Sequence, residues 1–145
     1  MTLVAKILRR KPADLLLAVE ALALLTFFRV CLALVPVRRI LGIVTHGKAM
    51  ASTATQDTAA LSFAKRVRWA VSAISRNSAV EFVCFPQTLA GYTMLRWRRV
   101  PSTMIYGVAR SPEGELLAHT WLTVGDWIVV GGEASGQFTP IERWT

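Results

Sequence analysis

The apolar run from Leu15 to Val35 constrains this 145-residue chain most, because a run of that length must be buried in protein or in lipid. It is long enough to suggest a transmembrane helix, but Glu20 and Arg29 lie inside it, and charges at mid-bilayer depth are costly. The longest uncharged stretch, Ala21–Phe28, is too short to span a bilayer. The run therefore predicts a buried helix, with peripheral membrane contact as an alternative and a true span disfavoured.

Two prolines and an acidic residue mark the ends of this helix. Pro12 fits the start of a helix, Asp14 is the candidate cap, and Pro36 stops the helix. A second apolar helical segment follows Pro36, and residues 46–58 are small and polar, which is typical of a loop. The N-terminal part of the chain is thus predicted to be helical up to that loop.

The chain is basic, with 17 Lys and Arg residues against 9 Asp and Glu residues and a net charge of +8. The cations form short groups near predicted helix ends, where positive charge is favourable, and no exposed aromatic stripe interleaves with them. We therefore expect no nucleic-acid partner.

Two cysteines and two histidines, without a CxxC motif or a Cys/His cluster, argue against a disulfide framework and a structural zinc. Neither a metal nor a cofactor is expected.

After the loop, helical patterns give way to strand-like ones. Apolar residues recur at steps of three and four over residues 59–75, and Cys84 opens a further helix with Pro86 in its first turn. Four strand-like segments follow: Ser102–Ala109, Leu117–Val124, Trp127–Val130 and the short Phe138–Ile141. Gly125-Asp126 is a two-residue hairpin signal between the second and third of them.

Helices followed by an antiparallel sheet predict the α+β class. The chain is long enough for one compact domain, so we expect a single domain over residues 1–145. Within it, residues 1–58 form a helical part with its loop, and residues 59–145 form the core.

Cys84 and His119 carry the candidate chemistry. Cys84 opens a helix, whose unpaired N–H groups and dipole stabilise a thiolate and can hold an oxyanion. His119 lies on a predicted strand, and a helix-borne Cys that meets a strand-borne His is what a thiol nucleophile with a general base needs. Isolated cysteines and histidines are also common in cores and on surfaces, so the bare pair is weak evidence. Cys31, inside the apolar helix, is interpreted as a buried, inert thiol.

The residues around this pair resemble one family. They are the segment CFPQTLAGYTMLRWRRVPSTMIYGV from Cys84 to Val108, the segment LAHTW around His119, and FTPI at 138–141. These segments resemble the transglutaminase-like cysteine peptidases of lasso-peptide biosynthesis, which remove the leader from a ribosomally made precursor. The resemblance covers most of the chain.

The resemblance implies a transglutaminase- or papain-like core, with Cys84 as the nucleophile and His119 as the base. It implies a precursor peptide of leader and core as substrate, a lasso cyclase that acts next, and a cytoplasmic location. The chain is too short for a fused recognition domain, so the resemblance implies a separate leader-binding protein, expected to dock on the apolar N-terminal helices. A thiol acyltransferase of the same fold and a non-catalytic scaffold with a membrane or transporter association are the alternatives.

The chain differs from the family at the third catalytic group. Members of the family typically carry an Asp about twelve residues after the His, where this chain has Gly131-Gly132. A hairpin at Gly125-Asp126 puts Gly132 opposite His119 and Asp126 at the far end. Glu133 is the nearest acid, so it is the predicted orienting group, with a backbone carbonyl or an amide as alternatives.

Two further side chains lie near the pair in sequence. Gln87, one turn into the Cys84 helix, either lines the site and helps to hold an oxyanion or lies on the helix surface. Trp121, two residues after His119, shares its face of the strand, where it walls the cleft or, as we prefer, packs in the core.

Overall fold

The computed structural model describes residues 3–46, 58–77 and 84–145. In these ranges the helices are α1 (Leu3–Leu8), α2 (Pro12–Leu34), α3 (Val37–Val44), α4 (Thr58–Asn77), α5 (Cys84–Trp97) and α6 (Gly132–Ser135). The strands are β1 (Thr103–Arg110), β2 (Leu116–Val124), β3 (Trp127–Val130) and β4 (Thr139–Trp144). The loop predicted over residues 46–58 lies almost entirely outside the described residues. Helices precede a four-stranded antiparallel sheet, which confirms the α+β class.

The long helix α2 packs its inner face against α4 and α5. Leu17, Ala21, Leu25 and Phe28 recur at steps of three and four on that face and are buried. The opposite face is also apolar but open to solvent, and its exposed members are Leu16, Val19, Phe27, Val30 and Leu34. By length and composition α2 could cross a membrane, and core helices of soluble proteins and N-terminal signal sequences meet the same criterion.

Asp14 does not cap α2 as the sequence predicted. The N-cap position is Lys11, with no side-chain cap, and Asp14 lies inside the first turn. There its Oδ1 accepts a hydrogen bond of 2.7 Å from Nε of Arg66 on α4. The carboxylate is therefore turned towards the core and not back along its own helix.

A second ion pair fixes α2 to the end of α5. The guanidinium of Arg98 donates to both carboxylate oxygens of Glu20, at 2.8 and 2.7 Å. This hydrogen bonding with Glu20 raises the pKa of Arg98 above its usual value, so the guanidinium stays charged throughout the physiological range. Both acidic residues of α2 thus bind cations of the helical layer, and its outward face carries no carboxylate.

The helices that carry the site match their predicted ranges closely. The predicted helix over 59–75 is α4, in which Ala64, Val67 and Val71 are buried. Cys84 opens α5 with Pro86 in its first turn, as predicted, and the helix ends at Trp97.

The sheet has the strand order β3-β2-β1-β4. The β2–β3 hairpin turns at Gly125-Asp126, with Val124 opposite Trp127, as predicted. Beyond the turn the register shifts: Thr123 pairs with Ile128, whereas Leu122 pairs with Val130. This bulge contradicts the straight register that placed Gly132 opposite His119.

The chain leaves the sheet directly after β3. Gly131 takes the left-handed conformation, with φ 79° and ψ 15°, and leads into α6, a short helix that the sequence analysis did not predict. The predicted last segment, 138–141, overlaps the longer strand β4 at residues 139–141, and β4 pairs with β1.

Candidate active site

Cys84 is half-buried at the first position of α5. The start of that helix is fixed against β2 by two hydroxyls: Thr88 donates to the main-chain oxygen of Thr120 at 3.4 Å, and the Thr120 hydroxyl donates to that of Thr88 at 3.1 Å. Both threonines are fully buried. Because Thr120 follows His119, this contact ties the helix turn that starts at Cys84 to the strand that carries the imidazole.

Cys84 and His119 line one cavity of about 400 Å³, together with Gln87. The rest of its wall comes from one face of α4 and from the segment at the end of β3: Arg68, Ser72, Ser75, Arg76, Val129, Val130, Gly131, Gly132, Glu133 and Ala134. The structure therefore brings the two predicted catalytic residues to the same cavity. In the described part of the chain, no hydrogen bond joins Cys84 to His119. Hydrogen bonds between catalytic residues are often long without substrate and tighten when the substrate binds.

The imidazole of His119 is enclosed on several sides. Its ring stacks on Trp121 at a centroid distance of 6.0 Å and lies 5.1 Å from the ring of Phe138. Gly107, opposite His119 on β1, makes room for this packing, because a Cβ there would lie 2.8 Å from the Trp121 ring. The Nε2 atom of His119 is 2.8 Å from the carbonyl oxygen of Gly131.

Glu133 does not contact His119 as the sequence predicted. Its carboxylate is 90% exposed and lies 3.6 Å from Nη2 of Arg76, at the cavity rim. The register shift in β3 and the left-handed turn at Gly131 are the reason, because they bring a main-chain carbonyl to the imidazole and direct the next acidic side chain outwards. Asp126 lies in the hairpin turn, at the opposite end of β3 from Gly131.

The other residues named from the sequence divide between cavity and core. Gln87 lines the cavity. Trp121 is buried and also stacks on His119, so it packs in the core and contacts the site at the same time. Cys31 is half-buried in α2, less enclosed than predicted, and does not line this cavity.

Helix α4 also lines the cavity, which was not predicted from the sequence. Arg68, Ser72 and Ser75 follow each other at steps of four and three, which places them on one helix face, and that spacing was the available signal. Nη1 of Arg68 donates to the main-chain oxygen of Ile128 at 3.1 Å, and its guanidinium lies over the Trp127 ring. This contact fixes the cavity wall to β3.

A cationic wall and an unsatisfied hydroxyl characterise the cavity. Arg68 and Arg76 both line it, Arg76 lies beside Glu133 at its rim, and the Oγ atom of Ser75 is buried without a hydrogen-bond partner in the part of the chain that the structure describes. Among the described residues, no group of three or more His, Cys, Asp or Glu side chains could hold a metal ion. The thiol, the imidazole and the polar atoms around them are groups of this cavity that can act chemically.

A thiol at a helix N-terminus and an imidazole on an adjacent antiparallel strand, both lining one cavity, define the arrangement of a thiol nucleophile with its base. The family model of the transglutaminase-like superfamily matches residues 24–143. The chain belongs to this superfamily, whose members are typically cysteine peptidases and acyltransferases. No curated protein and no solved structure matches the chain.

Proposed function

We propose that this protein is a cysteine endopeptidase that removes the leader peptide from a lasso-peptide precursor before a cyclase closes the ring. The observation that carries the proposal is the shared cavity of Cys84 and His119 in a transglutaminase-like chain. The residues around both positions, which resemble those of lasso leader peptidases, supply the substrate class.

The chemistry follows from the two side chains. His119 takes the thiol proton, and the Cys84 sulfur attacks the carbonyl carbon of the scissile peptide bond. Main-chain N–H groups at the start of α5 stabilise the oxyanion, and Gln87 offers an amide on the same wall. Protonated His119 then gives its proton to the departing amine of the core peptide, which leaves the leader as a thioester on Cys84. Water, deprotonated by His119, hydrolyses that thioester.

An amine can resolve the same thioester, which would make the protein an acyltransferase. The two reactions differ in the leader product: hydrolysis leaves a free carboxylate at its new C-terminus, and transfer leaves an amide. Mass spectrometry of the released leader, in buffer with and without a primary amine, separates them. We expect the carboxylate in both buffers.

A non-catalytic scaffold is the alternative from another class, and thiol reactivity tests it. We expect iodoacetamide to alkylate Cys84 at least ~10-fold faster than Cys31, because Cys84 opens a helix and lines the cavity that His119 also lines, whereas Cys31 lies in α2 outside it. Each rate is measured by mass spectrometry in the variant that lacks the other thiol, Cys31→Ala or Cys84→Ala. Two equally slow thiols would favour the scaffold.

The exposed apolar face of α2 supports a separate leader-binding protein as partner. Large apolar side chains lie in a row along it, and contiguous patches of this kind mark interfaces. A docked partner that holds the leader would raise the local concentration of the scissile bond at Cys84. We place this reaction in the cytoplasm, ahead of the lasso cyclase. Association with a membrane or a transporter is the competing use of the face.

Leu16→Asp tests the partner proposal against a matched control. We expect the candidate leader-binding protein to stimulate cleavage of full-length precursor roughly 10-fold or more, and Leu16→Asp to remove that stimulation. Leu116→Asp makes the same change at an equal exposure of 70% on β2 and should leave the stimulation intact. Rates that are the same with and without the leader-binding protein would contradict the proposal. Loss of binding to anionic vesicles by Leu16→Asp alone would assign the face to the membrane.

A further inference from the structure

The contact between His119 and Gly131 determines which nitrogen of the imidazole can act as a base. A carbonyl oxygen only accepts hydrogen bonds, so the Nε2 atom that lies 2.8 Å from Gly131 O must carry the proton. In a neutral imidazole the other nitrogen, Nδ1, then holds the free lone pair. We infer that the main-chain carbonyl of Gly131 is the positioning group of the proposed catalytic pair, in the place that Asp or Glu side chains take in other triads.

The inference rests on the proposed function for its catalytic meaning, but the geometry stands by itself. Trp121 and Phe138 hold the ring by packing, and the Gly131 carbonyl fixes its Nε2 edge. Packing alone would allow the ring to flip by half a turn about its χ2 bond. The hydrogen bond distinguishes the two orientations, so it selects both the orientation and the tautomer of His119.

Glycine is required at position 131 for this carbonyl to reach the ring. The residue has φ 79°, a conformation that L side chains rarely adopt. A Cβ atom there would lie 2.6 Å from the main-chain oxygen of Thr120 and 3.1 Å from Cα of Trp121. Any side chain at this position therefore pushes the turn away from β2, and the carbonyl moves with it.

The turn is held by its neighbours on both sides. Before it, Arg68 binds the main-chain oxygen of Ile128, and after it the hydroxyl of Ser135 donates to the main-chain oxygen of Gly132 at 3.0 Å. These two contacts hold the turn on both sides of the Gly131 carbonyl. The carbonyl differs from a carboxylate in one respect, since it orients the imidazole without adding a negative charge to the cavity.

The inference is tested by measuring the tautomer of His119 by NMR on protein labelled with ¹⁵N-histidine. The spectrum contains two imidazoles, and exposed His46 serves as the internal reference. In the wild type at a pH where the ring is neutral, we expect His119 as the Nε2–H tautomer. A dominant Nδ1–H tautomer in the wild type would overturn the inference without any variant.

Gly131→Ala and Gly114→Ala form the matched pair of variants. Gly114 also has a positive φ, 86°, but lies in the β1–β2 turn with open space where a Cβ would be. Both substitutions cost backbone strain, and only Gly131→Ala moves the carbonyl. We expect Gly131→Ala to lose the Nε2–H signature and to slow precursor cleavage by about 10²-fold, the usual consequence of a misplacement near 1 Å. Gly114→Ala should keep both.

Glu133→Gln decides between the two candidate orienting groups. We expect it to keep the Nε2–H signature, because the carboxylate lies on Arg76 and not on the imidazole. A signature that survives Gly131→Ala but disappears in Glu133→Gln would overturn the inference and restore Glu133 to the role predicted from sequence. The tautomer is read without precursor, so a failed cleavage assay tests the proposed function and leaves this result unaffected.

Discussion

Cys84→Ala is expected to abolish precursor cleavage while the protein stays folded. In the proposed mechanism the Cys84 sulfur forms the thioester, and the alanine variant offers no nucleophile in its place. Removal of a nucleophile lowers turnover by roughly 10⁴–10⁶-fold in well-studied hydrolases. Cleavage is measured as release of leader and core by mass spectrometry, with circular dichroism and the thermal midpoint as checks of the fold.

His119→Ala should be nearly as severe, because in the proposed mechanism the thiol then lacks its base and the departing amine lacks its acid. Cys31→Ala is the matched control: it removes the other half-buried thiol, which lies in α2 outside the cavity, and should leave turnover nearly unchanged. If Cys31→Ala were the inactive variant, the nucleophile would have been assigned to the wrong thiol. Near wild-type cleavage by Cys84→Ala would end the peptidase proposal.

The pattern of apolar residues was sufficient to predict the elements that carry the site. Steps of three and four identify α4, and Val124 opposite Trp127 follows from a two-residue turn. These features depend on local periodicity and turn chemistry, which a sequence displays directly. The same reasoning placed Cys84 at a helix start and His119 on a strand.

The third group of the site was not predictable in the same way. The sequence predicted an acidic side chain, Glu133, whereas the atom at the imidazole belongs to the main chain of Gly131. That contact depends on one extra residue in β3 and on a left-handed φ, neither of which periodicity reveals. A main-chain carbonyl is present at every position, so only the fold shows which one is used.

Asp14 illustrates a second limit of sequence reasoning. Its place near the start of α2 suggested a cap, which is a local role. Its partner is Arg66, which lies 52 residues away along the chain. Tertiary contacts of that separation follow from how the helices pack, and a local pattern cannot anticipate them.

Helix α2 has two apolar faces, and the burial of its inner face indicates whether the helix belongs to the same folded core as Cys84 and His119. Leu25 on the inner face is fully buried in the same core cluster as Leu89 of α5 and Val67 of α4. Leu16 on the outer face is 70% exposed. A helix that only anchored the protein in a membrane would contribute equally little through either residue to the stability of the isolated protein.

Leu25→Ala and Leu16→Ala therefore make a matched test, since the same atoms are removed from the same helix at opposite burial. We expect Leu25→Ala to lower the free energy of unfolding by about 3 kcal/mol, which is the cost of a core cavity. Leu16→Ala should change it by less than about 0.5 kcal/mol. Urea unfolding followed by tryptophan fluorescence gives both values. Equal midpoints would show that α2 is not part of the folded core. The expected difference would instead mean that the helix bearing the proposed docking face is built into the domain that holds Cys84 and His119, so a partner bound to that face contacts the catalytic domain itself.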